Sequence, residues 1–194
     1  MFRHDRTFVN QNAFAVIIED DMDSGKIEAT VKDVNAIAYD RVGQILKVDA
    51  ICIKNKSKNI DKFLKVAGDV ATLTKKPLIL VSSDPETLKT AAEKFKENKP
   101  LIHAATADNT DLFITLGKET GCPIAVRGKS FEDISAITGK MREAGIKNLV
   151  IDIGSRDFKD DFYNQIILRI AAIKQKNRLF GYPTIVFPDE MTDN

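Results

Sequence analysis

The strongest constraint on this chain is a repeated unit. Short apolar runs headed by proline recur at nearly constant spacing, with Pro77 before Leu78, Pro100 before Leu101 and Pro123 before Ile124. Together with the run that opens at Leu149, the starts at 78, 101, 124 and 149 lie 23, 23 and 25 residues apart. Proline ends a preceding helix and costs no ladder hydrogen bond at the first position of a strand. The spacing suits one compact strand–helix unit, repeated. Seven strands are expected: Phe14–Glu19, Ala50–Lys54, Leu78–Ser82, Leu101–Ala105, Ile124–Arg127, Leu149–Asp152 and Thr184–Phe187. Most are nearly continuous apolar runs rather than alternating ones, as expected of parallel strands covered on both faces.

The stretches between them carry helical period. Ile27, Val31, Val34 and Ala38 share one face, as do Phe63, Ala67 and Val70, and Leu88, Ala91, Ala92 and Phe95. A last stripe, Phe162, Ile166, Ile170 and Ile173, is expected to face the core. Asp84-Pro85 reads as a cap before a first-turn proline, and Ser130 with Asp133 as a capping box. Gly121, Gly145 and Gly181 stand where left-handed C-terminal caps are wanted. The fold class expected is α/β, a TIM-type (β/α) barrel, over a single barrel-like domain spanning 1–194. A doubly wound open sheet uses the same units. The barrel is preferred because no Gly-rich phosphate turn follows the first strand. Only Pro188–Asn194 follow Phe187, too few for another helix and strand, so the barrel is expected to be incomplete at about seven strands. A fragment, a split gene or closure by a partner would each account for that.

Composition excludes several classes. Lys and Arg number 29 against 28 Asp and Glu, a net charge of +1 that supplies no field for nucleic acid or an anionic membrane. The apolar runs are too short to span a bilayer, and no leader pattern opens the chain, so a cytoplasmic location is expected. The two cysteines, Cys52 and Cys122, sit in or beside strands as small buried hydrophobes. Two isolated cysteines cannot hold a four-iron cluster or a Cys₄ zinc site within one chain.

In a parallel barrel the reactive end is the rim where strands finish. The candidate ligand-binding residues there are Glu19, Lys54, Asn55, Ser82, Arg127 and Asp152, with Ser155, Arg156 and Asp189 on the same rim. Carboxylates at Glu19 and Asp152 and cations at Lys54 and Arg127 suit a polar heterocycle or proton transfer. Asp152 with Arg127 is the pair expected to be buried together in the mouth. No catalytic or metal-ligating residue is assigned, and His103 reads as a satisfied buried or rim residue. The acidic run 19–23 reads as a solvated loop with an N-cap, and the basic run 54–58 as a solvated patch. Gly128-Lys129-Ser130 resembles the tail of a phosphate-binding loop, but Pro123 stands where that loop needs glycine.

Several stretches in fixed order resemble the large (gamma) subunit of the corrinoid iron–sulfur protein of the CO dehydrogenase/acetyl-CoA synthase system. They are Phe2–Phe8 (FRHDRTF), Ala15–Asp20 (AVIIED), Arg41-Val42-Gly43, Leu80–Pro85 (LVSSDP), Pro100–Thr106 (PLIHAAT), Gly121–Val126 (GCPIAV), Leu149–Asp152 (LVID) and Gly181–Ile185 (GYPTI). The resemblance implies the central barrel domain only, truncated at both ends relative to the family. It implies a scaffold in an anaerobic carbon-fixing methyl carrier that passes a methyl group from methyl-pterin to acetyl-CoA synthase. It further implies that the family's corrinoid cobalt and four-iron four-sulfur cluster belong to modules absent here, so that this chain binds neither. The implied partners are the small subunit, a methyl-pterin methyltransferase and acetyl-CoA synthase, with no nucleic acid or membrane. The alternative is a pterin-binding methyltransferase barrel acting through Glu19, Asn55 and Asp152.

Overall fold

The computed structural model describes residues 12–41 and 44–192. The Phe2–Phe8 stretch and part of Arg41-Val42-Gly43 lie outside them. Strand β1 (Ala15–Glu19) leads to helix α1 (Ser24–Ala36), a hairpin of β2 (Ala38–Arg41) and β3 (Gln44–Lys47), and then β4 (Ala50–Lys54). Next come α2 (Ile60–Leu73), β5 (Leu78–Val81), α3 (Pro85–Lys94), β6 (Leu101–Ala105) and α4 (Thr110–Thr120). The last elements are β7 (Ile124–Arg127), α5 (Phe131–Glu143), β8 (Leu149–Asp152) and α6 (Phe158–Ile173).

Six strands form one parallel sheet in the order β1-β4-β5-β6-β7-β8. Apart from the hairpin, that order never reverses. A doubly wound sheet reverses at its switch point and places helices on both faces. Here each right-handed crossover steps the same way, so the helices share one face and the sheet is an arc of a (β/α) barrel. The arc is not closed. The seventh strand expected at Thr184–Phe187 reduces to one parallel bridge, Thr184 to Ile151, because β8 ends at Asp152 and offers no further ladder.

Side-chain alternation sorts the arc into two faces. Ile51, Ile53, Leu80, Ile102, Ile124 and Val126 point to the helices and meet Phe63, Leu88, Phe113 and Met141 in the main core. Cys52 and Ile79 point the other way, to the concave side, where they meet Phe187. Burial on both sides is the reason these strands lack alternation.

Local signals explain most boundaries. Asp84 accepts hydrogen bonds from the backbone N–H groups of Glu86 and Thr87 ahead of α3. Ser130 accepts from Asp133 N at 3.1 Å, while Asp133 Oδ2 receives Lys129 N, one residue earlier than a capping box requires. Gly121 and Gly145 take positive φ as C-terminal caps, whereas Gly181, at φ −81°, does not. Two further expectations change. α1 stops at Ala36, so Ala38 belongs to the exposed hairpin and not to its buried face. The stripe Phe162, Ile166, Ile170 and Ile173 of α6 faces outward at 58, 42, 40 and 60% exposure, while Leu168 is buried. The side of α6 that packs inward carries Asp161, Gln165, Leu168, Ala171 and Ala172, so its most apolar stripe is the one the described core leaves uncovered.

Candidate functional site

The strand ends gather their polar groups around Asp152, the last residue of β8, which is 1% exposed. His103 Nε2, from β6, lies 2.8 Å from Asp152 Oδ2. With Asp152 ionised, the Nε2–H tautomer donates that bond. Arg156 donates Nη1–H to Oδ1 at 3.2 Å and Nη2–H to Oδ2 at 3.0 Å, a two-pronged grip that suits a planar guanidinium. Gly154 N–H completes the set at 2.8 Å to Oδ1. Gly154 sits at φ +79°, and a Cβ there would press into the Gly128 carbonyl oxygen. Glycine is therefore what allows this turn to aim its N–H at the carboxylate.

The register explains how His103 and Asp152 meet. On the sheet His103 pairs with Ala125, and Arg127 with Asp152. His103 and Asp152 both face the concave side, and the residue level with His103 on the intervening β7 is Ala125, whose side chain is a single methyl.

The chain then crosses its own mouth. After the Thr184 bridge, Phe187 lies edge-on to His103, with ring centroids 4.9 Å apart, and beneath the Arg156 guanidinium at 5.4 Å. The turn Pro188–Glu190 follows. Glu190 stands between two cations, with Oε1 2.5 Å from Lys54 Nζ and Oε2 2.5 Å from Arg156 Nε. Asp189 Oδ2 adds a 3.5 Å contact to Lys54. Lys54, Arg127 and Arg156 thus face Asp152, Asp189 and Glu190, three cations against three carboxylates.

Burial penalises the charged form of Asp152, but hydrogen bonds from His103, Arg156 and Gly154 outweigh it and hold the carboxyl well below the usual carboxylate range. Glu190 is likewise lowered: burial opposes ionisation, and Lys54 and Arg156 prevail. Lys54 and Arg156 are raised despite burial, by Glu190 and by Asp152 respectively. The mouth is a self-neutralised ionic network.

Of the six residues expected on the rim, Lys54 and Asp152 join this network. Arg127 does so only loosely, with Nε 3.8 Å from Asp152 Oδ2 and its side chain 42% exposed, so the partner buried beside Asp152 is His103, with Arg156 gripping from above. Asn55 donates Nδ2–H to Ser82 Oγ at 3.0 Å, while Asn55 Oδ1 is buried without a partner among the described residues. Glu19 turns aside to Lys56 at 2.6 Å. Two runs read as solvated are partly otherwise. Asp20 is buried and accepts from Lys56 N, Ser57 N and Ser57 Oγ, and Lys54 is tied into the mouth, while Asp23 caps α1 as expected. Patterning did not single out Glu190 at all. The available signal was an acidic pair placed directly after the last strand-like run, opposite a strand-end lysine.

Cys52 and Cys122 are both buried and free. Burial pushes the Cys52 thiol up to about 12, far from a thiolate ligand. These residues do not fit a four-iron four-sulfur cluster. His103, 4% exposed and committed to Asp152, does not fit an axial ligand to a corrinoid. No helix among the described residues is long and apolar enough to cross a membrane.

Residues 1–191 match the family described as the CO dehydrogenase/acetyl-CoA synthase delta subunit. The corrinoid/iron–sulfur protein large subunit of Moorella thermoacetica is 35% identical over 185 residues, covering 95% of this chain and 42% of that protein. The acetyl-CoA decarbonylase/synthase complex subunit gamma of Archaeoglobus fulgidus is 30% identical over 97% of this chain and 41% of its own length. The chain thus spans about two-fifths of the length of these relatives. Among solved structures, dihydropteroate synthase from Xanthomonas albilineans in complex with 7,8-dihydropteroate superposes with a TM-score of 0.54 at 15% identity, over 92% of this chain and 72% of that one, a likeness of fold alone. With a family match running through the whole strand–helix arc, the chain belongs to the CO dehydrogenase/acetyl-CoA synthase delta-subunit family, and it is similar in sequence to corrinoid/iron–sulfur large and gamma subunits.

Proposed function

We infer that this chain is the barrel scaffold of a corrinoid iron–sulfur methyl carrier, which passes a methyl group from methyl-pterin to acetyl-CoA synthase in the reductive acetyl-CoA pathway. The observation that carries the reading is the family match over 1–191 together with the similarity to corrinoid/iron–sulfur subunits, of which this chain matches only the barrel-sized part. The site chemistry supports it, because the strong polar groups of the mouth are engaged with one another. A scaffold needs a rigid arc and surfaces for its neighbours; it needs no reacting group of its own. Corrinoid and cluster then reside on other parts of the carrier, and the small subunit is the expected partner. Methyl-pterin methyltransferase and acetyl-CoA synthase are the expected donor and acceptor.

Two measurements test this reading. The purified chain, mixed with the small subunit, is expected to co-elute in stoichiometric complex. Titrated with cob(III)alamin, it is expected to leave the corrinoid spectrum unchanged. Tight one-to-one corrinoid binding by the chain alone would overturn the scaffold assignment. A pterin-binding methyltransferase barrel is the second reading. Its support is the unpartnered Asn55 Oδ1 at a strand end and a fold shared with a barrel solved with a dihydropteroate. Calorimetry with methyltetrahydrofolate separates the two, since a scaffold gives no heat of binding at millimolar ligand.

A further inference from the structure

The segment that fills the mouth is held unlike the rest of the fold. It is anchored by backbone at two points, Ile185 N to Ile151 O at 2.9 Å and Thr192 N to Arg156 O at 2.9 Å. Between them, the backbone bonds of the described residues are internal to the segment: Glu190 N to Phe187 O and Met191 N to Pro188 O. Among the described residues, what else holds Val186–Met191 is carried by side chains, chiefly Phe187 and Glu190. Phe187 is 4% exposed, between the His103 ring and the Arg156 guanidinium. The Glu190 carboxylate is shared by Lys54 and Arg156.

Beneath this segment lies a formed seat. Its floor is apolar, made by Cys52 and Ile79 of the concave face. One wall is the His103 edge, fixed by Asp152. Opposite stand the two cations. With Asp189 and Glu190 lifted away, Lys54, Arg127 and Arg156 face Asp152 alone, so the uncovered seat carries excess positive charge. One residue beyond Lys54, the buried Asn55 Oδ1 has no donor among the described residues, an unmet acceptor at the same rim.

We propose that the mouth is a binding seat for a small arylalkyl carboxylate, a flat ring joined to a carboxylate by a short chain, and that Phe187 and Glu190 occupy it as a displaceable internal substitute for that ligand. The ring would take the place of Phe187 against His103 and below Arg156, where cation–π attraction favours it. The carboxylate would take the place of Glu190 between Lys54 and Arg156. A bare anion gains nothing from the apolar floor, and a bare arene leaves Lys54 and the Arg156 Nε–H without a carboxylate, so the seat selects for the two features together. The proposal goes beyond the scaffold role and does not depend on it, since a scaffold barrel can carry such a seat or lack one.

The test uses the full chain and 3-phenylpropionate as probe, followed by hydrogen–deuterium exchange and calorimetry. Saturable binding is expected, with faster exchange of the 186–191 amides as the segment leaves. Acetate and benzyl alcohol, each carrying one feature only, are expected to leave that exchange unchanged. Glu190→Ala removes the internal competitor and is expected to tighten phenylpropionate binding by about tenfold or more. Adding Lys54→Met to that variant should abolish the gain. Should Glu190→Ala fail to fold by circular dichroism, Glu190→Gln serves, with the same direction expected. Absence of binding to both wild type and variant, or binding that leaves 186–191 exchange unaltered, would show the segment to be a permanent structural plug and overturn the proposal. Equal binding of acetate would overturn the aromatic part.

Discussion

Helices α2 and α6 are built from similar residues and end in opposite situations. α2 turns Phe63, Val66, Ala67 and Val70 into the core and leaves Ile60 and Leu73 partly outside at its ends. α6 buries Leu168 and Asp161 and exposes Phe158, Phe162, Tyr163, Ile166, Ile167, Ile170 and Ile173 at 40–62%. The difference follows from position in the arc. α2 lies between α1 and α3 over the ladder of β4 and β5, so one flank and the underside are covered by construction. α6 follows β8, after which the ladder thins to one bridge, and its described neighbour is the turn Arg178–Phe180 beside α5. The lesson is that a helix in a barrel arc acquires its burial from the neighbouring units packed beside it, as α2 does from α1 and β4.

The contrast can be broken or sharpened by substitution. Phe63→Ala, at a fully buried site, is expected to cost about 3–5 kcal/mol in chemical denaturation, whereas Phe162→Ala on α6 should cost under about 1 kcal/mol. Equal costs would show that α6 is as tightly packed as α2. In the mouth, Asp152→Ala leaves Arg156 and His103 without their carboxylate and should cost about 3 kcal/mol, with Asp152→Asn recovering part of it.

Acid should act on the mouth before it acts on the arc. The folded-state pKa values of Asp152 and Glu190 both lie below their unfolded values, which are near 4 for ordinary carboxylates. Their contribution is therefore complete above the unfolded pKa and is lost as pH falls through the folded one. Stability is expected to be level from about pH 5 to 7 and to decline below about pH 4. In the Glu190→Gln variant that decline should be shallower, from a lower starting stability. A decline unchanged by the substitution would remove Glu190 from the account. The smallest effect is expected on α6, where Ile166→Lys with Ile170→Lys should shift stability by no more than about 0.5 kcal/mol. The same pair should reduce light scattering by concentrated protein, because a continuous exposed apolar face promotes association.

The parallel arc was legible in the sequence because strands buried on both faces leave an apolar signature, and because proline marks their starts. The hairpin Ala38–Lys47 was not. Its strands are four residues each, their described positions are largely exposed, and Ala38 continues the spacing of the α1 stripe, so nothing local separates it from that helix. For α6 the stripe was visible but its direction was not, since the side that packs inward, with Asp161, Gln165, Leu168 and Ala172, is the less apolar one. Asp152 and Lys54 could be placed on the rim from their strand-end positions. Their partners could not, because His103 is 49 residues from Asp152 and Glu190 is 136 from Lys54. Only sheet register and the return of the chain across its own mouth bring those atoms together.

Native-state hydrogen exchange measured segment by segment tests the central claim most directly. If the arc from β1 to β8 is the cooperative unit and the region after it is held by one face and a side-chain network, amides of Ile51–Ile53, Leu80, Ile102 and Ile124–Val126 should share one slow rate near global unfolding. Amides of α6 and of residues 184–192 should then open at lower free energy. Protection of α6 equal to that of α2 would contradict this picture and show a fold completed around that helix.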